Sequence, residues 1–483
     1  MSNHRLAFIA ALALCGAITL AARPAAADCT YTVDGHLSVQ HQLPELQSFA
    51  GPTSPLVGIK VRVESRARIL GVWGTWLPFD ETVTNGDGFF TRSRTTTCGA
   101  HQVRVHVKFQ DAKLEIYQEH STALFEANVL WYQVFQSGTI QDGQDQHLDT
   151  LLDPVFRAGN LFDLGADEAR AHADIWVLYK LALDQLASLG DGLGFSDTVR
   201  VKFPHNGIAD DTLEASYANP INRVIYIFPD GAPLSALTPT FLHELMHMWA
   251  YQHSRGEGGM AWDLIGLGSL SSLGLIDGDG FDTHGFETDT AVAFHEGFAE
   301  FGAIQLMRSL FGDDATHDAF GLDLWLPFNR TAYTEQLDIF EGADLTSFSQ
   351  LEHFDAGWQS ILATLILDNP VRYNFGAPST AIDRSVDSSH LVSSRITIAQ
   401  TCPQTALTFA EVLRTFLGAS VGSTSDDWRM DDMSWAGFTS RARALGLMSA
   451  TDTTFYERLM APLSSSQADA LMTCTPLVVP FHP

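Results

Sequence analysis

Basic side chains are scarce in this sequence. Its 483 residues include 28 Lys or Arg against 57 Asp or Glu, so the formal net charge is −29 with His counted as neutral. A field this negative repels phosphate groups and anionic lipid, which argues against a nucleic-acid-binding or membrane-surface protein.

Cysteine is also rare, and its five positions are widely spaced: Cys15, Cys29, Cys98, Cys402 and Cys474. The spacing of the last four does not resemble a zinc knuckle, so we expect them to be structural. In an oxidising compartment an even number of cysteines indicates disulfides, and four cysteines allow three pairings. The layout of the chain favours Cys29 with Cys98 and Cys402 with Cys474.

Long apolar runs are confined to the N-terminus. No later run reaches the roughly 18 apolar residues that a membrane span needs. The apolar run from Leu6 to Ala22 follows Arg5 and precedes a series of small residues before Asp28, the pattern of a secretory signal peptide over residues 1–27. We therefore expect the mature protein to begin at Asp28 and to be secreted or periplasmic.

The motif with the clearest chemistry is HExxH, which runs from His243 to His247 in a stretch with helical spacing. Thr238 is expected to cap this helix and Pro239 to occupy its first position. The two histidines are four residues apart, so both imidazoles leave one face and can bind one divalent ion. Glu244 is rotated by about 100° from His243, where its carboxylate can take a proton from an attacking water. By itself, the pattern also fits an amphipathic helix with two core histidines.

A second predicted helix, from Thr290 to Leu310, contains the phrase Glu-Gly-Phe-Ala-Glu at residues 296–300. Glu300 lies one turn after Glu296, so it could orient a ligand imidazole, although it could equally be a solvated carboxylate. His295 is expected to pack beside the site rather than bind metal.

These two motifs resemble those of the gluzincin group of zinc metallopeptidases, which includes thermolysin and the membrane alanyl aminopeptidases. The resemblance implies that His243, His247 and Glu296 bind Zn²⁺ and that Glu244 is the general base. The implied substrate is a peptide or protein. With HExxH and the downstream phrase together, the functional interpretation outweighs a chance match.

Other gluzincin features are matched only in part. The family's antiparallel edge strand, which pairs with the substrate, has its counterpart at Arg223–Phe228. The nearest match to the oxyanion-stabilising Tyr-x-x-Gly phrase is Phe354 to Gly357, which has no hydroxyl, so that role is unfilled there. His353, Tyr333, Tyr373 and His390 are other candidates for it. The Gly-x-Met-Glu-Asn phrase of the aminopeptidases is absent, which favours an endopeptidase.

The length of the chain predicts more than one domain, in an α+β fold. Residues 28–118 consist of short predicted strands and resemble the transthyretin-like or carboxypeptidase-regulatory β-sandwich. Residues 119–165 are a predicted connector, and residues 166–483 form the predicted metallopeptidase-like domain with a mostly helical C-terminal half. The strict apolar alternation of Gln102–Phe109 indicates a strand. The other predicted elements are a strand at Val199–Phe203 and helices at Ala166–Leu189, Trp358–Leu367, Thr408–Leu417 and Trp435–Leu445.

One acidic stretch suggests a second ion. Asp277, Asp279 and Asp282 lie on tight turns and could bind Ca²⁺, but the spacing departs from an EF-hand loop and a plain acidic turn is the better interpretation.

The leading hypothesis is therefore a secreted zinc-dependent peptidase with no nucleic-acid partner and no membrane span. The alternative is a noncatalytic secreted binding protein in which the β domain binds the partner and zinc is structural. An intact Glu244 argues against that alternative, since a structural site needs no base. Nothing in the sequence indicates an oligomeric state.

Overall fold

The computed structural model describes the following residues: 28–69, 71–79, 81–117, 131–140, 146–152, 166–203, 216–219, 223–228, 237–253, 290–312, 315–316, 352, 355–366, 394–397, 407–417, 434–460 and 477–480. Several predicted features lie outside them: the signal segment 1–27, the acidic turn with Asp277, Asp279 and Asp282, the Cys402 and Cys474 pair, and the side chains considered for the oxyanion, Tyr333, His353, Phe354, Tyr373 and His390.

The described strands are β1 (Asp28–Gln40), β2 (Thr53–Pro55), β3 (Lys60–Ile69), β4 (Val72–Trp73), β5 (Leu77–Pro78), β6 (Thr82–Val83), β7 (Phe89–Thr97), β8 (His101–Lys108), β9 (Leu114–Tyr117), β10 (Tyr132–Gln136), β11 (Gln146–Leu152), β12 (Val199–Lys202), β13 (Tyr217–Asn219), β14 (Val224–Tyr226), β15 (Ser394–Thr397) and β16 (Leu477–Pro480). The described helices are α1 (Pro44–Ala50), α2 (Ala166–Ser188), α3 (Leu237–His253), α4 (Thr290–Phe311), α5 (Asp355–Leu365), α6 (Phe409–Leu417), α7 (Trp435–Ala444) and α8 (Ala450–Met460).

This combination of sheets with a mostly helical C-terminal part confirms the α+β class. The chain divides into two compact units. The first contains the described parts of residues 1–40, 54–108 and 131–170, and the second contains those of 41–53, 109–130 and 171–483.

The first unit is built from two sheets. In one, β1 pairs with β11, β2 and β7, and in the other β8 lies between β3 and β10 while β4, β5 and β6 also pair with β3. The strands β10 and β11 come from the predicted connector, and they extend these sheets. The Cys29–Cys98 disulfide is present, as expected, and joins the start of β1 to the residue after β7.

Alternating side chains supply the core of this unit. Val103, Val105 and Val107 on β8 are fully buried, which confirms the period-2 prediction for that strand. Val61 and Val63 on the neighbouring β3 are also fully buried, so adjacent strands contribute to one apolar face.

In the second unit, a small sheet has the order β13-β14-β12-β9. The strand β14 is parallel to β12 on one side and antiparallel to β13 on the other. Arg223–Phe228 was therefore the wrong choice for the free edge next to the HExxH helix, because β14 already has two neighbours. Among the described strands of this sheet, β13 lies at the edge, and its Tyr217 ring stacks on Tyr226 of β14 with 4.5 Å between ring centroids.

The helices of the second unit begin and end near their predicted positions. The helix α4 ends before Gly312, whose φ of 88° is in the left-handed region that glycine adopts at little cost. The predicted cap at Thr238 was wrong. The helix α3 begins at Leu237, and the Thr238 hydroxyl instead donates to a Glu45 carboxylate oxygen at 3.0 Å. Pro239 remains within the first turn, where the backbone N–H groups have no intrahelical partner.

The segment 41–53 packs within the second unit through two buried polar contacts. The Asp174 carboxylate on α2 accepts hydrogen bonds from His41 Nδ1 at 2.6 Å and from the backbone N–H groups of Gln42 and Leu43 at 2.7 and 3.0 Å. Glu45 on α1 supplies the second contact, to Thr238. These contacts connect the segment 41–53 to both α2 and α3.

No helix among the described residues combines the length and the apolar composition needed to cross a bilayer.

Candidate metal centre

Two packed helices bring the three predicted metal ligands together. His243 and His247 lie one turn apart on α3, and Glu296 lies on α4. The Nε2 atoms of the two histidines are 2.9 Å apart, and the Glu296 Oε2 atom is 3.3 Å from the first and 3.0 Å from the second. These three side chains form a cluster that can hold a metal ion.

The donor set and its spacing fit a tetrahedral ion with one open position. Donor atoms at about 2.0–2.2 Å from a zinc ion are roughly 3.3–3.5 Å from one another, close to the separations in this cluster. Two imidazole nitrogens and one carboxylate oxygen are also a usual protein ligand set for catalytic zinc. The His243 side chain is 23% exposed and that of His247 only 6%, so solvent reaches the cluster from the His243 side. Other divalent first-row ions accept the same donors, so the geometry does not fix the identity of the metal.

Glu300 lies beside His243, which is the first of the two positions considered for it. Its Oε2 atom is 3.0 Å from the Nδ1 atom of His243, on the side of the ring opposite the metal-facing Nε2. A carboxylate at this position accepts the Nδ1 proton, fixes the tautomer and makes Nε2 a better ligand. Burial lowers the pKa of His243, but hydrogen bonds to Glu296 and Glu300 and the Glu244 charge outweigh it and hold the pKa well above its usual value.

Glu296 is held as a carboxylate. Burial by itself raises the pKa of Glu296, but the charge of His247 and hydrogen bonds from His243 and His247 outweigh it, and the pKa is lowered. An ionised carboxylate is the form that binds a metal ion.

Glu244 lies outside the three-donor cluster and is buried on α3. Burial and the nearby Glu296 charge raise the pKa of its carboxyl group, although the charges of His243 and His247 act in the opposite direction. The backbone N–H of Ala218 on β13 also donates to the Glu244 carboxyl group. The outer edge of the sheet therefore lies against the residue that was predicted to be the base.

Two further side chains at the centre have contacts that the sequence analysis did not identify. The His295 ring lies 4.2 Å from the His247 ring between centroids, and its Nε2 atom is 2.8 Å from the Tyr251 hydroxyl. His295 packs beside the site, as expected. Tyr251 was not predicted, although it lies four residues after His247 and therefore extends the same helix face.

An aromatic cluster packs behind the ligands. The Phe298 ring, two residues after Glu296, lies 3.9 Å from Phe416 on α6 and 5.9 Å from Trp249 on α3 between centroids. Phe294 similarly contacts Trp358 on α5 at 4.5 Å. Large buried rings restrict the rotation of α4, so Glu296 faces the histidines.

Comparison of the chain with models of protein families, with curated proteins and with solved structures found no match.

Proposed function

We propose that this protein is a secreted, zinc-dependent peptidase that hydrolyses peptide bonds, with His243, His247 and Glu296 as metal ligands and Glu244 as general base. The observation that carries the proposal is the meeting of the three donors from α3 and α4 at separations of 2.9 to 3.3 Å. The gluzincin-like motifs in the sequence support the same assignment.

Each side chain has a distinct role in the proposed reaction. A zinc ion held by the three ligands supplies a Lewis acid that lowers the pKa of water towards neutrality and polarises a carbonyl group. Glu244 accepts the proton of the attacking water and returns it to the leaving amine. Burial raises the pKa of Glu244, and a higher proton affinity favours its uptake of that proton.

The edge strand β13 is the proposed binding site for the peptide backbone. Its pairing with β14 uses one edge, and its other edge lies towards Glu244 through the Ala218 N–H. An extended peptide that adds to this edge would place its backbone beside the base. This arrangement suits cleavage within a chain, in agreement with the predicted endopeptidase.

The compartment follows from two features. The predicted signal segment directs the protein out of the cytoplasm, and the Cys29–Cys98 disulfide is suited to an oxidising environment. Secretion or export to a periplasm is part of the proposal.

The decisive experiment compares the wild-type protein with Glu244→Gln. Both are purified as mature chains, their bound zinc is measured by elemental analysis, and cleavage of an unfolded fluorescent protein is followed with and without a chelator. We expect both proteins to bind zinc and the variant to lose roughly 10²- to 10⁴-fold in cleavage rate, the usual contribution of a general base. Glu81→Gln is the matched control, because it makes the same change on a side chain that is 45% exposed in the first unit.

Two outcomes contradict the proposal. Full chelator-sensitive cleavage by Glu244→Gln would show that the base is another residue. Zinc binding by the wild-type protein without any chelator-sensitive cleavage would favour the noncatalytic binding protein with a structural zinc site.

A further inference from the structure

The two proposed ligand histidines differ in the hydrogen-bond partner of their Nδ1 atom. A histidine that binds a metal through Nε2 carries its proton on Nδ1, and that N–H is normally bonded to an acceptor. The Nδ1 atom of His243 has the Glu300 carboxylate. The Nδ1 atom of His247 is buried and has no hydrogen-bond partner among the residues that the structure describes.

His295 also has one ring nitrogen without a hydrogen-bond partner among the described residues. It is 1% exposed, and its Nε2 atom is 2.8 Å from the Tyr251 hydroxyl, while its buried Nδ1 atom has no partner in the described part of the chain. A neutral imidazole has one donor and one acceptor nitrogen. If Nε2 donates to the Tyr251 oxygen, Nδ1 is left as an acceptor.

The two Nδ1 atoms are complementary, one a donor and the other an acceptor, and their rings are adjacent. His247 needs an acceptor for Nδ1–H, His295 offers one, and their ring centroids are 4.2 Å apart with the planes tilted by 50°. Leaving both nitrogens buried without a hydrogen bond is unfavourable, because each has lost its hydrogen bond to water. A small rotation of either ring, or one bridging water, satisfies both.

We propose that His295 is the positioning residue for His247: it accepts the Nδ1–H of His247, directly or through one water, and Tyr251 fixes its tautomer by accepting the Nε2–H. The proposal rests on the metal site proposed above but not on peptidase activity. It assigns a carboxylate to orient one ligand histidine and a neutral His–Tyr pair to orient the other. Because Tyr251 lies on α3 and His295 precedes Glu296 on α4, the pair also couples the two ligand-bearing helices.

The test measures zinc affinity by competition with a chromophoric chelator in His295→Phe, which keeps an aromatic ring but has no acceptor. We expect the dissociation constant for zinc to rise roughly 10- to 100-fold, the usual effect of removing a group that orients a metal ligand. His295→Asn, which restores an acceptor oxygen, is expected to recover most of this loss. His253→Phe is the matched control, since it makes the same change at the end of α3, where the His253 ring stacks on Trp249 and not on His243 or His247.

A spectroscopic measurement separates positioning from general destabilisation. The visible absorption of the Co²⁺-loaded protein reports the coordination geometry, and we expect it to change in His295→Phe but not in His253→Phe. Tyr251→Phe is expected to weaken zinc binding about 2- to 10-fold, as for the loss of one hydrogen bond. This effect is expected to disappear when His295 is already Asn, because Tyr251 acts through His295.

The proposal is wrong if His295→Phe binds zinc as tightly as the wild-type protein and gives the same Co²⁺ spectrum. If His295→Phe does not fold, Tyr251→Phe is measured in the wild-type and in the His295→Asn backgrounds. An equal loss of zinc affinity in both would overturn the proposed chain of contacts. Failure of the wild-type protein to bind either ion would instead refute the metal site itself.

Discussion

At the scale of single residues, the candidate site depends on side chains that act on other side chains. In the proposed metal centre, His243 would bind through Nε2, and its other ring nitrogen, Nδ1, lies 3.0 Å from the Glu300 carboxylate. The sequence indicated this role through the four-residue spacing of Glu296 and Glu300. The same spacing left open a solvated carboxylate, and only the position of α3 decided between the two.

We predict that Glu300→Ala raises the dissociation constant for zinc about 10- to 100-fold, because the imidazole of His243 loses its acceptor and part of its basicity. Glu300→Gln is expected to lose less, since an amide oxygen still accepts the hydrogen bond. Chelator competition measures both variants. Glu81→Ala, on an exposed side chain, is the control, and unchanged affinity in Glu300→Ala would show that Glu300 does not orient the ligand.

At the scale of elements, the site depends on how closely α3 approaches α4. A Cβ atom added at Gly302 would lie 2.6 Å from Met246 Cε and 2.7 Å from Met246 Cγ. Contacts this short require the Met246 side chain or the helices to move. Gly302 therefore permits the approach that brings Glu296 to the histidines.

Gly302→Ala is predicted to destabilise the protein by about 1–3 kcal/mol, as overpacked cores do, and to weaken zinc binding because α4 is displaced. In a Met246→Ala background, the same change is expected to be neutral or stabilising by about 0.5–1 kcal/mol, because the clash is gone and alanine is the better helix former. Urea unfolding monitored by circular dichroism measures both effects.

The control for this pair is Gly194→Ala, where the added Cβ would meet only Ala187 Cβ at 4.0 Å. Equal effects of Gly302→Ala with and without Met246 would show that close packing of α3 on α4 is not the reason for glycine at this position.

The edge strand was the element that sequence reasoning misplaced. The segment Arg223–Phe228 was predicted to be an apolar strand before HExxH, and it contains the strand β14. Its local pattern does not show how many strands pair with it. The pairing of β13 with β14 joins Tyr217 to Tyr226, and the pairing of β14 with β12 joins segments more than 20 residues apart. Such pairing is decided by packing and loop closure rather than by local pattern.

At the scale of the whole molecule, the free energy of unfolding depends on pH through a buried histidine. His172 on α2 is fully buried, and its Nε2 atom is 2.5 Å from the Phe203 carbonyl oxygen. Burial lowers the pKa of His172 to about 4, and the hydrogen bond to Phe203 offsets this only in part. In the unfolded chain, histidine has a pKa of about 6.5.

We therefore predict that the free energy of unfolding falls as the pH is lowered from about 6.5 to about 4. In this range the unfolded chain binds one more proton at His172 than the folded chain does, so acid favours unfolding. The contribution of this residue is about 3 kcal/mol, present in full above pH 6.5 and lost progressively towards pH 4.

Urea unfolding of metal-free wild-type protein and His172→Gln at pH 7.5 and 4.5 tests this prediction. The variant is less stable overall, but the difference between the two proteins is expected to shrink by about 2–3 kcal/mol on acidification. Parallel loss of stability in both proteins would exclude His172 as a cause of acid sensitivity.

The sequence by itself determined the local features: the α+β class, the helices α2 to α4, the alternating strand β8 and the spacing of the His and Glu side chains in the two motifs. These follow from spacing along one helix or strand and from the order of short elements, which are fixed by neighbours in the chain.

Tertiary structure alone decided the contacts between distant segments. It placed Thr238 against Glu45 instead of at a helix cap, put β13 rather than β14 at the edge of the described sheet, and brought Tyr251 to His295 beside His247. Each of these contacts depends on which surfaces are buried together. Burial is a property of the packed chain, so spacing along the sequence does not encode it directly.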